Sequence, residues 1–144
     1  MFGHGVDRIM FSVDWLSLKV SIEDIGMAPV VGVELIGVDA SVRCLGLIDT
    51  GSDISVIDKT LLEKLGDLTH FSAASAGRHE ANLYLIDVRI TGDAEGEALT
   101  FENVPAIVQA LPRPLFSIGR RGLLDRLRVE LDFTRKRCID NSLN

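Results

Sequence analysis

Fifteen residues, Cys44 to Asp58, constrain this chain more than any others. Cys44-Leu45-Gly46-Leu47-Ile48 is an apolar run that delivers a carboxylate, Asp49; Thr50, Gly51 and Ser52 follow at once, and Ile54 to Ile57 resumes an alternating apolar pattern. The pattern predicts a strand, a tight turn and a second strand. Glycine permits positive φ and close backbone approach, so Gly51 lets the amides around Asp49 face a carboxylate or a ligand. Asp-Thr-Gly is also ordinary turn chemistry, expected by chance in roughly a few per cent of chains this long. The weight falls on its context: strand patterns on both sides, a second hydroxyl after the glycine, and a second glycine motif downstream at Phe116-Ser117-Ile118-Gly119-Arg120.

The rest of the chain reads as strand after strand. Ile9, Phe11, Val13 and Trp15 alternate with polar positions, and after one slip Leu18, Val20 and Ile22 do the same, which predicts one long or bulged strand. Gly26 and Pro29 interrupt it. Val31, Val33 and Leu35 resume it up to a turn at Gly37-Val38-Asp39, and Ala40 to Ile48 returns as the hairpin partner. Asp58 then caps a short helix with Leu61, Leu62 and Leu65 on its apolar face and Gly66 as its stop. Leu68 to Thr91 forms two strand-like runs around a tip of small residues at Ser72 to His79, and Gly92 to Glu97 is an exposed turn. Leu99 to Gln109 reads as two short strands split by Pro105, Arg121 to Leu127 as a second short helix, and Arg128 to Phe133 as the last strand. The expected fold is therefore all-β, closed and barrel-like or sandwich-like, with one or two short helices. The expected domain layout is an N-terminal strand extension over 1–28, the main domain over 29–138 and a tail over 139–144.

Composition narrows the function classes. A chain of 144 residues with 47% hydrophobic and 25% charged residues can bury a core without staples. Its net charge of −6 argues against a general affinity for nucleic acid. The basic residues from Arg120 to Arg137 are interleaved with Asp125, Glu130 and Asp132, as expected of a solvated, partly paired surface. Cys44 and Cys138 are too few for a disulfide framework, and His4, His70 and His79 have no ligand spacing with either cysteine, so neither a metal nor a cofactor is expected. The first residues lack the pattern of a signal peptide and no run reaches membrane-spanning length; the expected location is the cytoplasm, without membrane association.

From about Pro29 to Phe133 the sequence resembles the retropepsin-like aspartic proteases, single-domain relatives of pepsin that work as homodimers. The resemblance rests on Leu47-Ile48-Asp49-Thr50-Gly51-Ser52-Asp53 together with Ser117-Ile118-Gly119-Arg120-Arg121-Gly122-Leu123-Leu124-Asp125. It implies an aspartic endopeptidase acting on extended polypeptides, with Asp49 as the general acid and base. Thr50 would then lock the two turns across a dimer axis, and Gly51 would supply an amide to the carboxylate and room for substrate. Asp53 and Arg120 would form an internal ion pair, and Ile118 and Gly119 would pack beneath the turn. The hairpin tip at Ala76, Gly77 and Arg78 would be a flap over substrate; read from the residues alone it is a surface hairpin. Ser52 can donate to Asp49, which would favour the charged carboxylate. Ile57, Leu85 and Ile118 suggest a hydrophobic preference at the cleaved bond.

Asp-Thr-Gly occurs once. Peptide hydrolysis by carboxylates needs one group ionised and one protonated, so such an enzyme needs Asp49 from two copies on a two-fold axis. Two other readings stand beside it: a catalytically silent dimerisation or binding module on the same fold, and an unrelated all-β ligand-binding domain. The segment before Pro29 exceeds what a minimal member of the family needs, and either adds a dimer strand or covers an edge.

Overall fold

The structure, a computed structural model, describes residues 11–14, 29–74, 80–93 and 96–140. The apolar alternation of the first hairpin becomes β2 (Val30–Ile36) and β3 (Ser41–Ile48), preceded by β1 (Phe11–Asp14). β2 and β3 pair antiparallel from Val30↔Leu47 to Ile36↔Ser41, and Val31, Val33 and Leu35 are buried on one face. The expected turn at Gly37-Val38-Asp39 lies between them, closed by Gly37 N–H donating to the Ala40 carbonyl at 2.8 Å.

Beyond the turn at Asp49, β4 (Ser55–Asp58) runs directly into the helix α1 (Lys59–Leu65). Asp58 is its N-cap: the carboxylate accepts the Thr60 N–H at 3.1 Å and the Thr60 hydroxyl, while its other oxygen accepts the Leu111 N–H at 2.8 Å. A local helix cap thus also pins a loop more than fifty residues away. Gly66 ends the helix with φ of +74°, and Leu61 and Leu65 join the core. The remaining strands are β5 (His70–Ala74), β6 (Glu80–Thr91), β7 (Ala98–Gln109), β8 (Leu115–Ile118), β9 (Val129–Asp132) and β10 (Arg137–Asp140).

Seven strands form one sheet in the order β2-β3-β8-β4-β7-β6-β5, and a further pairing of β2 with β6, from Val33↔Ile90 to Ile36↔Asp87, closes six of them into a barrel. β6 is long enough to serve two neighbours along one edge, β5 with its first half and β2 with its second. Closure leaves those six strands few unpaired edges, and the inward side chains of β2, β6, β7 and β8, among them Leu35, Ile86, Val104 and Phe116, fill the interior. A second sheet, β1-β10-β9, is antiparallel throughout. Cys138 on β10, with Leu124, Leu127 and Leu131, packs it onto the barrel core.

Three expectations change, and β1 takes one of the two alternatives left open for the N-terminal segment. β7 is one strand of twelve residues, not two split by Pro105. Up to Pro105 it has, among the described residues, only β6 beside it, and pairing with β4 begins at Ala106, so a residue without an N–H is tolerated there. The strand instead bends at a bulge: two residues, Glu102 and Asn103, oppose the single Asp87, and Asn103 at φ +54° donates its N–H to the Asp87 carboxylate at 2.9 Å. The helix expected over Arg121 to Leu127 is a turn followed by one 3-10 turn, Leu124–Arg126. β9 is not the last strand: a turn holding Lys136 at φ +58° and Asp132 accepting the N–H groups of Thr134 and Arg135 returns the chain as β10, so a boundary at residue 138 falls inside a strand. Finally, β1 pairs with β10 from Phe11↔Asp140 to Asp14↔Arg137 and covers its edge within the same chain. The continuation expected around Leu18 to Ile22 lies outside the described residues.

Candidate active site

β3 and β4 are consecutive in sequence but not neighbours in the sheet. β8 lies between them, parallel to β3 (Leu45↔Leu115 to Ile48↔Ile118) and antiparallel to β4 (Val56↔Ser117, Ile57↔Phe116). The turn from Asp49 to Ile54 must therefore bridge over the end of β8, and the residues that follow β8 meet it from below. Asp49 N–H donates to the Ile118 carbonyl at 3.0 Å, Arg120 N–H to the Ser52 carbonyl at 3.0 Å, and Arg121 N–H to the Asp53 carbonyl at 2.9 Å. Ser52 N–H closes the turn onto the Asp49 carbonyl at 3.1 Å. With its backbone fixed on both sides, the turn holds an exposed Asp49 carboxylate that accepts the Gly51 N–H at 3.1 Å. Thr50 and Gly51 are exposed beside it.

The two glycines act by different means. Gly51 does not adopt positive φ, and among the described residues a Cβ there would meet only the Asp49 carboxylate, at 3.4 Å. What its backbone supplies is the amide. Gly119 is buried, and a Cβ there would lie 2.4 Å from the Ile54 carbonyl carbon, 2.6 Å from its oxygen and 2.8 Å from Ser55 N. The side chain excluded at Gly119 would therefore collide with the backbone that leaves the turn, not with Asp49. Ser55, fully buried in an otherwise apolar run, accepts the Gly119 N–H on its hydroxyl at 2.9 Å. Nothing in the apolar-polar pattern distinguishes Ser55 from an ordinary strand position; its partner lies 64 residues away.

The polar partners of the turn are also redistributed. The Ser52 hydroxyl donates to the Ile54 carbonyl at 2.6 Å, so its single proton is not directed at Asp49 as the sequence suggested. Asp53 meets Arg121 at 2.8 Å and Arg120 at 3.9 Å. The expected pair with Arg120 is the looser of the two, and Arg120 uses its guanidinium to hold the Thr50 carbonyl at 2.9 Å. These groups are more than half exposed, so the ion pairs position the turn more than they stabilise the fold.

Ile118 and Ile57 are fully buried in the barrel and do not line an open surface of this chain. Leu85 is half-buried on β6 beside Leu68 and Thr69. Ala76, Gly77 and Arg78 lie outside the described residues; the hairpin that carries them is present as the antiparallel pair β5 and β6, in register from His70↔Tyr84 to Ala74↔Glu80. Among the described residues no cluster of His, Cys, Asp and Glu could hold a metal ion.

No family model and no curated protein matches the chain. Among solved structures it is similar to a retropepsin-like aspartic protease from Rickettsia conorii, with a TM-score of 0.53 over 93% of each chain and 15% sequence identity. At that identity the likeness is one of fold. The barrel, the strand inserted between β3 and β4 and the turn above it together have the retropepsin-like fold.

Proposed function

We propose that the protein is an aspartic endopeptidase whose site is completed by a second copy of the chain. The observation that carries this reading is the exposed Asp49 carboxylate, held on a turn whose backbone is bonded from both sides, in a chain with one Asp-Thr-Gly. Two such turns meeting on a two-fold axis bring the Asp49 carboxylates together. Two close carboxylates share one proton and titrate as a pair. The ionised group takes a proton from water as its oxygen attacks the scissile carbonyl carbon, while the protonated group donates to the carbonyl oxygen. Collapse of the tetrahedral intermediate returns the carbonyl, breaks the C–N bond and delivers a proton to the departing amine. Extended polypeptide is the fitting substrate class, because a cleft between two sheets binds through strand-like backbone hydrogen bonds and alternate side-chain pockets. In this reading the exposed Thr50, fixed by Arg120, contacts its counterpart across the axis.

The test is cleavage of a denatured protein substrate across pH 3–7, followed by mass spectrometry, with sedimentation run on the same samples. The expected outcome is cleavage that follows the dimer fraction and disappears in Asp49→Asn, which keeps the wild-type melting temperature. Cleavage by a monomer, or by Asp49→Asn, would overturn the proposal. A dimer with no cleavage would favour the binding-module reading.

A further inference from the structure

At the opposite end of β3 from Asp49, β8 begins only at Leu115, opposite Leu45, so among the described residues Ser41 to Cys44 have β2 on one side and no strand on the other. A groove of about 340 Å³ lies along that side, between β3, α1 and the loop before β8. Four consecutive residues of β3, Val42 to Leu45, line it. Successive strand residues point to opposite faces, so a groove touched by four in a row runs along the strand's edge, where backbone N–H and C=O groups project.

The groove's charge is one-sided. Arg43, Lys64 and Arg113 line it together with apolar residues including Val42, Leu61 and Pro114, and no carboxylate among the described residues lines it. None of the three cations has a carboxylate within 4.0 Å among the described residues. Glu34, which stands opposite Arg43 in the β2–β3 register, is engaged elsewhere: it accepts the Ser41 hydroxyl at 3.1 Å and pairs with Arg89 at 3.7 Å. Three cations with no carboxylate within 4.0 Å among the described residues, set around an apolar floor, stand out on a chain whose net charge is −6.

We propose that this groove docks an extended, acidic segment of a partner polypeptide, which adds to the open edge of β3. The edge supplies backbone hydrogen bonds to an extended chain, the cations take its carboxylates, and the floor takes apolar side chains between them. From Arg43 to Asp49 is six residues of strand, about 20 Å at the usual rise, so the docked segment does not occupy the Asp49 turn. The proposal does not depend on peptidase activity.

The experiment titrates a blocked hexapeptide of alternating Glu and Val into the full chain, following backbone amide shifts by NMR. The expected shifts fall on Ser41 to Leu45 and Lys64 and spare Thr50 to Ser52. Each of Arg43→Gln, Lys64→Gln and Arg113→Gln, exposed or half-exposed positions whose loss leaves the core intact, should weaken binding about threefold, the effect of a rim charge pair. Binding should also weaken steeply between low and high salt. Equal binding of a Gln/Val peptide, indifference to all three substitutions, shifts confined to the Asp49 turn, or no binding at millimolar peptide would each overturn it. So would displacement of the peptide's role to a membrane, read as binding of phosphatidylserine vesicles at the same residues with none of the peptide.

Discussion

Replacing Gly119 by alanine should unfold this protein more readily than any change on the exposed face of the turn. A single methyl group there would stand 2.4–2.8 Å from three backbone atoms of Ile54 and Ser55, against an ordinary contact of 3.4 Å or more. No side chain can rotate away, because all three neighbours are main chain, so the 118–121 segment or the exit of the turn must shift. Overpacking of this kind costs about 1–3 kcal/mol. The shift also disturbs the buried bond from Gly119 N–H to Ser55, worth about 1 kcal/mol net. The total, roughly 2–4 kcal/mol, is a large fraction of the 5–15 kcal/mol that holds a typical domain. At about 3–4 °C per kcal/mol for a chain of this size, Tm falls by roughly 10 °C; Gly119→Val should fall further. The control is Gly51→Ala, whose Cβ among the described residues meets only the Asp49 carboxylate at 3.4 Å and whose φ is not positive. Its Tm should stay within about 3 °C of wild type, as for other surface changes, while any peptidase activity falls because the methyl group sits against Asp49. Thermal unfolding followed by circular dichroism decides it. A Gly119→Ala protein melting within 3 °C of wild type, or a Gly51→Ala protein melting as low as Gly119→Ala, would refute the account of how the turn is supported.

Three further outcomes follow from the hydrogen bonds and burial around the site. Ser52→Ala removes a bond to the Ile54 carbonyl and none to Asp49, so it should lower stability by about 0.5–1.5 kcal/mol in urea melts and leave the pH profile of any cleavage in place; a profile displaced by a full pH unit would restore a direct bond to Asp49. The Asp58 carboxyl is held below its ordinary range, chiefly by the Thr60 hydroxyl and then by the Leu111 N–H. Its contribution is therefore complete above the unfolded-state value of about 3.9 and is lost as pH falls through the lower folded value; the urea midpoint of wild type should approach that of Asp58→Asn at the acid end, and parallel curves at all pH values would contradict this. Burial pushes the Cys44 thiol up to about 12. Iodoacetamide at pH 8.5 should alkylate it far more slowly in the folded protein than in urea, and equal rates would show that the thiol is not desolvated.

Strands β1 to β6 and β9, the hairpin of β2 and β3, the cap at Asp58, the stop at Gly66 and the Asp49 turn were legible in the sequence, because each rests on local chemistry: alternation with a period of two, a side chain that caps its own helix, a turn residue beside the bond it makes. What failed was also local evidence, overruled from a distance. Pro105 reads as a strand break until β7 is seen to have an open side. Arg137-Cys138-Ile139-Asp140 has too few apolar residues to announce a strand, and becomes one because β1 and β9 lie on either side of it. Arg120 and Arg121 cannot be ranked as partners of Asp53 from adjacency, since the choice depends on where Arg120 finds the Thr50 carbonyl.

Gly119 shows the division most clearly. Its place in Ile118-Gly119-Arg120 marked it as a support for the turn, yet the atoms that forbid a side chain belong to Ile54 and Ser55, brought there because β8 is inserted between β3 and β4. By itself the sequence determined that Asp49 ends a strand in a turn and occurs in one such motif. Only the tertiary structure decided what holds that turn still, because the holding bonds join segments more than sixty residues apart, and no local periodicity records which distant backbone a residue will meet.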